Sequence, residues 1–180
     1  MDFLSLVKQR QSVRKYQDKD IPHRVIDKCL EAARLAPSAS NSQPWKWIIV
    51  DQPDVLAPVA KACNDMKAIN KFVAGAKAIA VIVLEKPKLI TRIATTIKKR
   101  EWSLIDVGIA AEHFCLQATE LGLGTCMIGW YNEKKIQEVL EIPKNKSIAL
   151  LIAMGYPPED YENRVKIRKS LDEIKSNNKY

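Results

Sequence analysis

Two stretches of the chain carry residue types that could do chemistry. In Arg10-Gln11-Ser12-Val13-Arg14 the alternate residues Arg10, Ser12 and Arg14 point to one side if the backbone is extended. Two guanidiniums flanking a hydroxyl make an anion clamp, because each planar fork of donors fits a phosphate. The second stretch is Ala36-Pro37-Ser38-Ala39-Ser40-Asn41-Ser42-Gln43-Pro44-Trp45. Its prolines fix their own φ and push Ala36 and Gln43 towards extended geometry. Between them, Ser38, Ser40, Asn41, Ser42 and Gln43 could offer hydrogen bonds to a flat heterocycle rich in donors and acceptors. The plain alternatives are a solvated basic loop for the first stretch and an ordinary capped turn for the second. Arg164, Lys166, Arg168 and Lys169 form another cationic group, and Lys98-Lys99-Arg100 reads as a solvated face.

Other chemistries are poorly served. There is no G-x-G-x-x-G turn and no Walker loop, which argues against a Rossmann dehydrogenase or an NTPase. No Ser-His-Asp or Cys-His arrangement stands out. His23 and His113, with scattered cysteines, do not make an ordinary zinc site, so no metal is expected. The net charge of +8 raises the possibility of a nucleic-acid partner. Against it, the basic residues are not interleaved with aromatics and no helix-turn-helix or RNA-recognition pattern occurs. Cys29, Cys63, Cys115 and Cys126 lie in apolar segments without a C-x-x-C pair, which reads as buried free thiols in a reducing compartment. The longest apolar run, Ala78 to Leu84, is too short to span a membrane, and Met1 to Ser5 does not begin a signal peptide. A cytoplasmic protein with no membrane partner is expected. The 180 residues suggest one domain, or one that completes itself by oligomerising.

The elements that must position these stretches follow from periodicity. Asp2 can cap a short helix with Phe3, Leu6 and Val7 on one face. Pro22 opens a helix to about Leu35, with Val25, Ile26, Cys29, Leu30 and Ala33 on one stripe. Trp45 to Val50 reads as a buried strand, followed by helices over Pro53 to Cys63 and Met66 to Ala74. Ala78 to Leu84 is a second buried strand, and Leu89 to Arg100 has a weak helical pattern. Ser103 to Leu121 is helical with apolar residues over most of its circumference, more than a surface helix requires. Such a helix belongs in a large core or at a subunit interface. Gly122 to Gly124 stops it, and Thr125 to Trp130 reads as a strand running into a turn. Asn132 can cap a helix to Leu140, and Ser147 to Pro157 contains another buried strand. The tail from Pro158 is charged, with only Val165, Ile167, Leu171 and Ile174 to anchor it. Trp102 and Trp130 read as core residues, with a roof over a pocket as the other possibility.

Four pieces together resemble the FMN-dependent nitroreductase family. They are Arg10 to Arg14, Pro37 to Trp45, Leu121 to Gly129, and Met154-Gly155-Tyr156-Pro157 followed by Lys166 and Arg168. The resemblance implies an α+β fold, a small mostly antiparallel sheet wrapped by helices, in an intertwined homodimer. Residues 1–180 would be one such domain, with 158–180 an arm reaching the partner subunit. Arg10, Ser12, Lys166 and Arg168 would hold the FMN phosphate, with Gln11, at a position often basic or aromatic in relatives, contributing through its backbone, and Arg14 would face the flavin N1/O2 edge. Pro37, Ser38, Ala39 and Asn41 would come from the other subunit. Met127, Ile128 and Gly129 would run beside the ring, with a backbone N–H facing N5, and Asn70 would meet the pyrimidine edge. By the same resemblance, NADH or NADPH would pass hydride to flavin N5, and a nitroaromatic or quinone would take the electrons in a ping-pong cycle. No side chain would then act as a nucleophile. A protein that stores or senses FMN without turnover, and a relative doing reductive dehalogenation, remain alternatives.

Overall fold

The structure is a computed structural model that describes residues 2–65, 69–86 and 101–180. Its described elements in order are α1 (Phe3–Gln9), α2 (His23–Arg34), a 3-10 turn (Ala39–Asn41), β1 (Trp45–Val50), α3 (Pro53–Asn64) and a second 3-10 turn (Lys71–Gly75). Then come β2 (Ala78–Leu84), α4 (Trp102–Glu120), β3 (Gly124–Ile128), α5 (Glu133–Val139), β4 (Ile148–Gly155) and α6 (Leu171–Ile174). Local signals set most of the boundaries. The Asp2 carboxylate accepts the Ser5 N–H, Pro53 sits in the first turn of α3, and the Asn132 side chain accepts the Lys135 N–H. Gly122, at φ 80°, ends α4: its N–H reaches the Thr119 carbonyl and the Leu123 N–H reaches that of Ala118.

The strands form one antiparallel sheet in the order β1-β2-β4-β3, so the fold is α+β as expected. β2 is central, and its alternation assigns the two faces. Ala78, Ala80 and Ile82 join a core with α2 and α4, including Ile26, Cys29, Phe114 and Cys115. Ile79, Val81 and Val83 join a second core with α3 and α5, including Val59, Cys63 and Ile136. An apolar run is thus required because both faces of β2 are covered. Each fully buried isoleucine here contributes roughly 1.5–3 kcal/mol by leaving water. Within the first core the rings of Trp47 and Phe114 stack with centroids 5.2 Å apart.

The segment after α1 is laid along the free edge of β3. Ser12 pairs with Thr125 in a parallel bridge, the Val13 N–H donates to the Thr125 carbonyl at 2.9 Å, and the Gln17 N–H donates to that of Tyr156 at 2.8 Å. Two glycines that face each other in the β3–β4 register, Gly124 and Gly155, make this seat possible. A Cβ on Gly124 would lie 2.7 Å from the Val13 Cβ, and one on Gly155 would lie 2.8 Å from Tyr16 Cδ1. Both distances are inside van der Waals contact, so the absence of a side chain brings Val13 and Tyr16 down onto the sheet.

Three expectations need correction. Trp45 to Val50 is a strand, but an edge strand in which only Val50 is fully buried, because β1 has β2 on one side alone. In place of a helix over Met66 to Ala74 there is the short turn Lys71–Gly75, where 3-10 bonds suffice to bring the chain back into β2; residues 66–68 lie outside the described residues. Trp130 is 43% exposed and so is not a core residue, since it follows the end of β3 on a loop. In one chain α1 buries none of its residues completely, and Phe3 and Leu4 are exposed. The Leu89 to Arg100 helix and the Lys98 to Arg100 face also lie outside the described residues.

Candidate functional site

The site grows from the seat just described. With its backbone fixed against β3, residue 12 sits between two arginines that the same pairing holds in place. Arg10, with a mostly buried side chain, places Nε 3.1 Å from Glu112 Oε1 on α4. The Arg14 N–H donates to the Tyr161 hydroxyl at 3.3 Å, and its guanidinium lies over the Phe72 ring, 5.7 Å from the centroid. Gln11 turns the other way, donating through Nε2 to Asn163 Oδ1 and accepting the Arg164 N–H at Oε1.

The C-terminal segment closes over this group within the same chain. Arg164 Nη2 donates to the Ser12 carbonyl at 2.5 Å. Lys166 Nζ donates to the Val7 carbonyl at 2.6 Å and also to that of Arg10. Burial, together with the nearby Arg10 and Arg168, holds the Lys166 ammonium below the usual lysine range, while Glu112 opposes that effect. Arg168 is exposed and donates to its neighbour's carbonyl, at Ile167, at 2.7 Å. Arg10, Ser12, Arg14, Lys166 and Arg168 are therefore brought into one cationic group at the open edge of β3. Cations gathered in this way make a suitable seat for an anion.

The β3 residues behave unequally. The Ile128 side chain is buried in the second core and its backbone pairs with Leu151 of β4, so neither is turned to the open edge. Met127 is 37% exposed. Thr125 turns its carbonyl outward to Val13, and strand alternation puts the backbone groups of Met127 on that same open edge, with Gly129 following. Asn70 is held by two bonds from Nδ2, to the carbonyls of Cys63 at 3.0 Å and Trp130 at 2.8 Å. Its Oδ1 is the end left for an incoming donor.

Pro37, Ser38, Ala39 and Asn41 are not brought to this group. Their loop is tied to α4 elsewhere: the Ala39 N–H donates to Asp106 Oδ1 at 3.1 Å. Asp106 and Glu112 are six residues apart, which on an α-helix is about 9 Å along the axis and about 120° around it. One chain therefore presents the loop and the cationic group on different faces of α4. The loop is also strained, since Ser40, Asn41 and Gln43 have φ of 53°, 50° and 46° without being glycine. The Ser38 Oγ accepts the Gln43 N–H at 2.9 Å, and Gln43 Nε2 donates to Asn41 Oδ1 at 2.9 Å.

Several residues of the site had no sequence signal of their own. Asp106 and Glu112 are carboxylates in the interior of a largely apolar helix, and that oddity was the available hint. Tyr161 and Phe72 act through long-range contacts that no spacing encodes, and Arg164 was legible only as one of a cationic group. Cys126, beneath Ser12, has its thiol pushed up by burial, opposed by Arg14 and a bond with Ser12. Asp106 Oδ2 and Trp102 Nε1 are buried without a hydrogen-bond partner.

Residues 7–156 match the model of the Nitroreductase family. A protein of Archaeoglobus fulgidus, named as an NADH dehydrogenase/NAD(P)H nitroreductase, is 32% identical over 161 residues, covering 87% of this chain and 86% of that one. The solved FMN-dependent nitroreductase of Clostridium difficile R20291 is 31% identical, with a TM-score of 0.79, over 99% of this chain and 100% of that one. Human iodotyrosine deiodinase 1 is 26% identical over 96% of this chain and 67% of its own length. With this fold, and with its cationic group and polar loop lying inside the matched span or just beyond it, the chain belongs to the nitroreductase family.

Proposed function

We propose that the chain is an FMN-dependent oxidoreductase that takes electrons from NADH or NADPH and passes them to a small acceptor such as a nitroaromatic or quinone. The observation that carries this reading is the convergence of Arg10, Ser12, Lys166 and Arg168 at one sheet edge, beside Arg14 on Phe72. That donor set fits FMN: a phosphate for the three cations, and a flat polar ring for Arg14, the backbone of Met127 and Gly129, and Asn70 Oδ1. FMN, when bound, supplies two-electron chemistry at its N5 atom. The protein's own residues bind and orient. Arg10, Lys166 and Arg168 hold the phosphate, while the fixed Arg14 cation favours negative charge on the ring edge that it faces. Gln11 contributes by fixing the arm at Asn163 and Arg164. No side chain has to serve as a nucleophile.

The working form in this proposal is a homodimer. Leu104, Ile105 and Gly108 form an exposed stripe on α4, and Leu35, Val165, Ile167, Leu171 and Ile174 are exposed as well. A second copy packed on that stripe would bring the Pro37–Asn41 loop of one subunit to the cationic group of the other. The part of the arm beyond Arg168 would lie on the partner. Four free buried thiols fit a reducing, cytoplasmic setting.

The test is the visible spectrum of the purified protein, taken anaerobically before and after NADH or NADPH. A flavin spectrum that bleaches is expected. A bound flavin bleached by neither donor would favour storage or sensing, and failure to take up FMN would refute the reading.

A further inference from the structure

Among the described residues, Glu112 is the carboxylate that meets the phosphate-type cations. It projects from α4, 41% exposed, where an apolar or neutral residue would serve the helix as well. Its Oε1 meets Arg10 specifically at Nε, 3.1 Å away. An ion pair made at the Nε edge leaves the two terminal NH2 groups as a planar fork, which is the arrangement that grips a phosphate with two parallel bonds. The Arg10 backbone is fixed as well, since its carbonyl accepts from Lys166 Nζ. Lys166 spends two donors on the Val7 and Arg10 carbonyls and keeps one. With Glu112 counted, the group still keeps a net positive charge for a phosphate monoester of about −1.5 to −2 at neutral pH.

We propose that Glu112 is a positioning residue that presents the Arg10 fork to the phosphate of the flavin nucleotide, and thereby sets selectivity for FMN over riboflavin. The inference rests on the flavin reading given above. Glu112 does not touch the ligand. It removes the rotameric freedom that Arg10 would otherwise lose on binding, so its effect is confined to ligands that carry the phosphate.

The experiment titrates the full chain, dialysed free of nucleotide, with FMN and separately with riboflavin, following flavin fluorescence. It compares the parent with Glu112→Ala and Glu112→Gln. Glu112→Ala is expected to weaken FMN about ten-fold or more while changing riboflavin less than about two-fold. Glu112→Gln, which keeps a side-chain oxygen within reach of Arg10 Nε, is expected to bind FMN as well as the parent. Equal weakening of FMN and riboflavin by the alanine would show a merely structural tie between α1 and α4, and would overturn the proposal. So would unchanged FMN binding, or a glutamine variant as weak as the alanine. If Glu112→Ala does not fold, the glutamine variant alone decides, because a large FMN-specific loss there is incompatible with positioning. A parent that binds neither ligand removes the flavin reading itself, an outcome distinct from any variant effect.

Discussion

Replacing Asp106 with alanine tests whether α4 holds the polar loop in its working shape. The Ala39 N–H to Asp106 Oδ1 bond, at 3.1 Å, is charge-assisted and worth about 1.5–3 kcal/mol. It opposes the strain of Ser40, Asn41 and Gln43, each in the left-handed region at a cost of roughly 1–2 kcal/mol. The internal bonds that Gln43 donates to Ser38 and Asn41 remain in the variant, so the loop is loosened rather than lost. If the held shape falls to between about a tenth and a hundredth of the population, the apparent FMN affinity falls by the same factor. Stability should move little, because the substitution also removes Asp106 Oδ2, a buried oxygen with no partner. The assay pairs an FMN titration with thermal unfolding of the flavin-free protein. The expected result is affinity down about 10- to 100-fold with Tm within a few degrees of the parent. FMN affinity within two-fold of the parent at unchanged Tm would refute the anchoring argument.

Gly155→Ala should displace Tyr16 and the segment that it carries, costing about 1–3 kcal/mol by overpacking and lowering FMN affinity, as read by Tm and by flavin titration. A fully stable variant with normal FMN binding would show that the close seat is not needed. Alkaline pH should destabilise the fold. Burial pushes the thiols of Cys29, Cys63 and Cys115 from an ordinary 9.0 up to about 12, so the unfolded chain releases these protons first. The stability they contribute is complete below pH 9 and is lost as pH rises towards 12. Tyr16 and Tyr131, also raised by burial, act in the same sense, and the lowered Lys166 acts against it. A Tm that stays flat between pH 8 and about 11 would contradict this account.

The residues of this chain differ in how far their roles are readable locally. Asp2 and Asn132 cap helices through bonds three residues long, and β2 declares itself because seven apolar residues in a row suit only a strand covered on both faces. The arginine segment and the polar loop were legible as candidates because their residue types and spacing are themselves the chemistry. Other features depend on what the chain meets after it has folded. β1 looks as buried as β2 in sequence, yet topology leaves it at an edge. Gly124 and Gly155 look like turn residues, and only the β3–β4 register reveals them as the floor on which Val13 and Tyr16 rest. Asp106 and Glu112 acquire their partners, Ala39 and Arg10, across 67 and 102 residues of chain (106 − 39 and 112 − 10). The sequence by itself determined the elements and the chemical groups, since both rest on short-range bonds and on periodicity. Tertiary structure alone decided which groups share a site, because the faces of α4 and the free edge of β3 exist only once distant segments have packed.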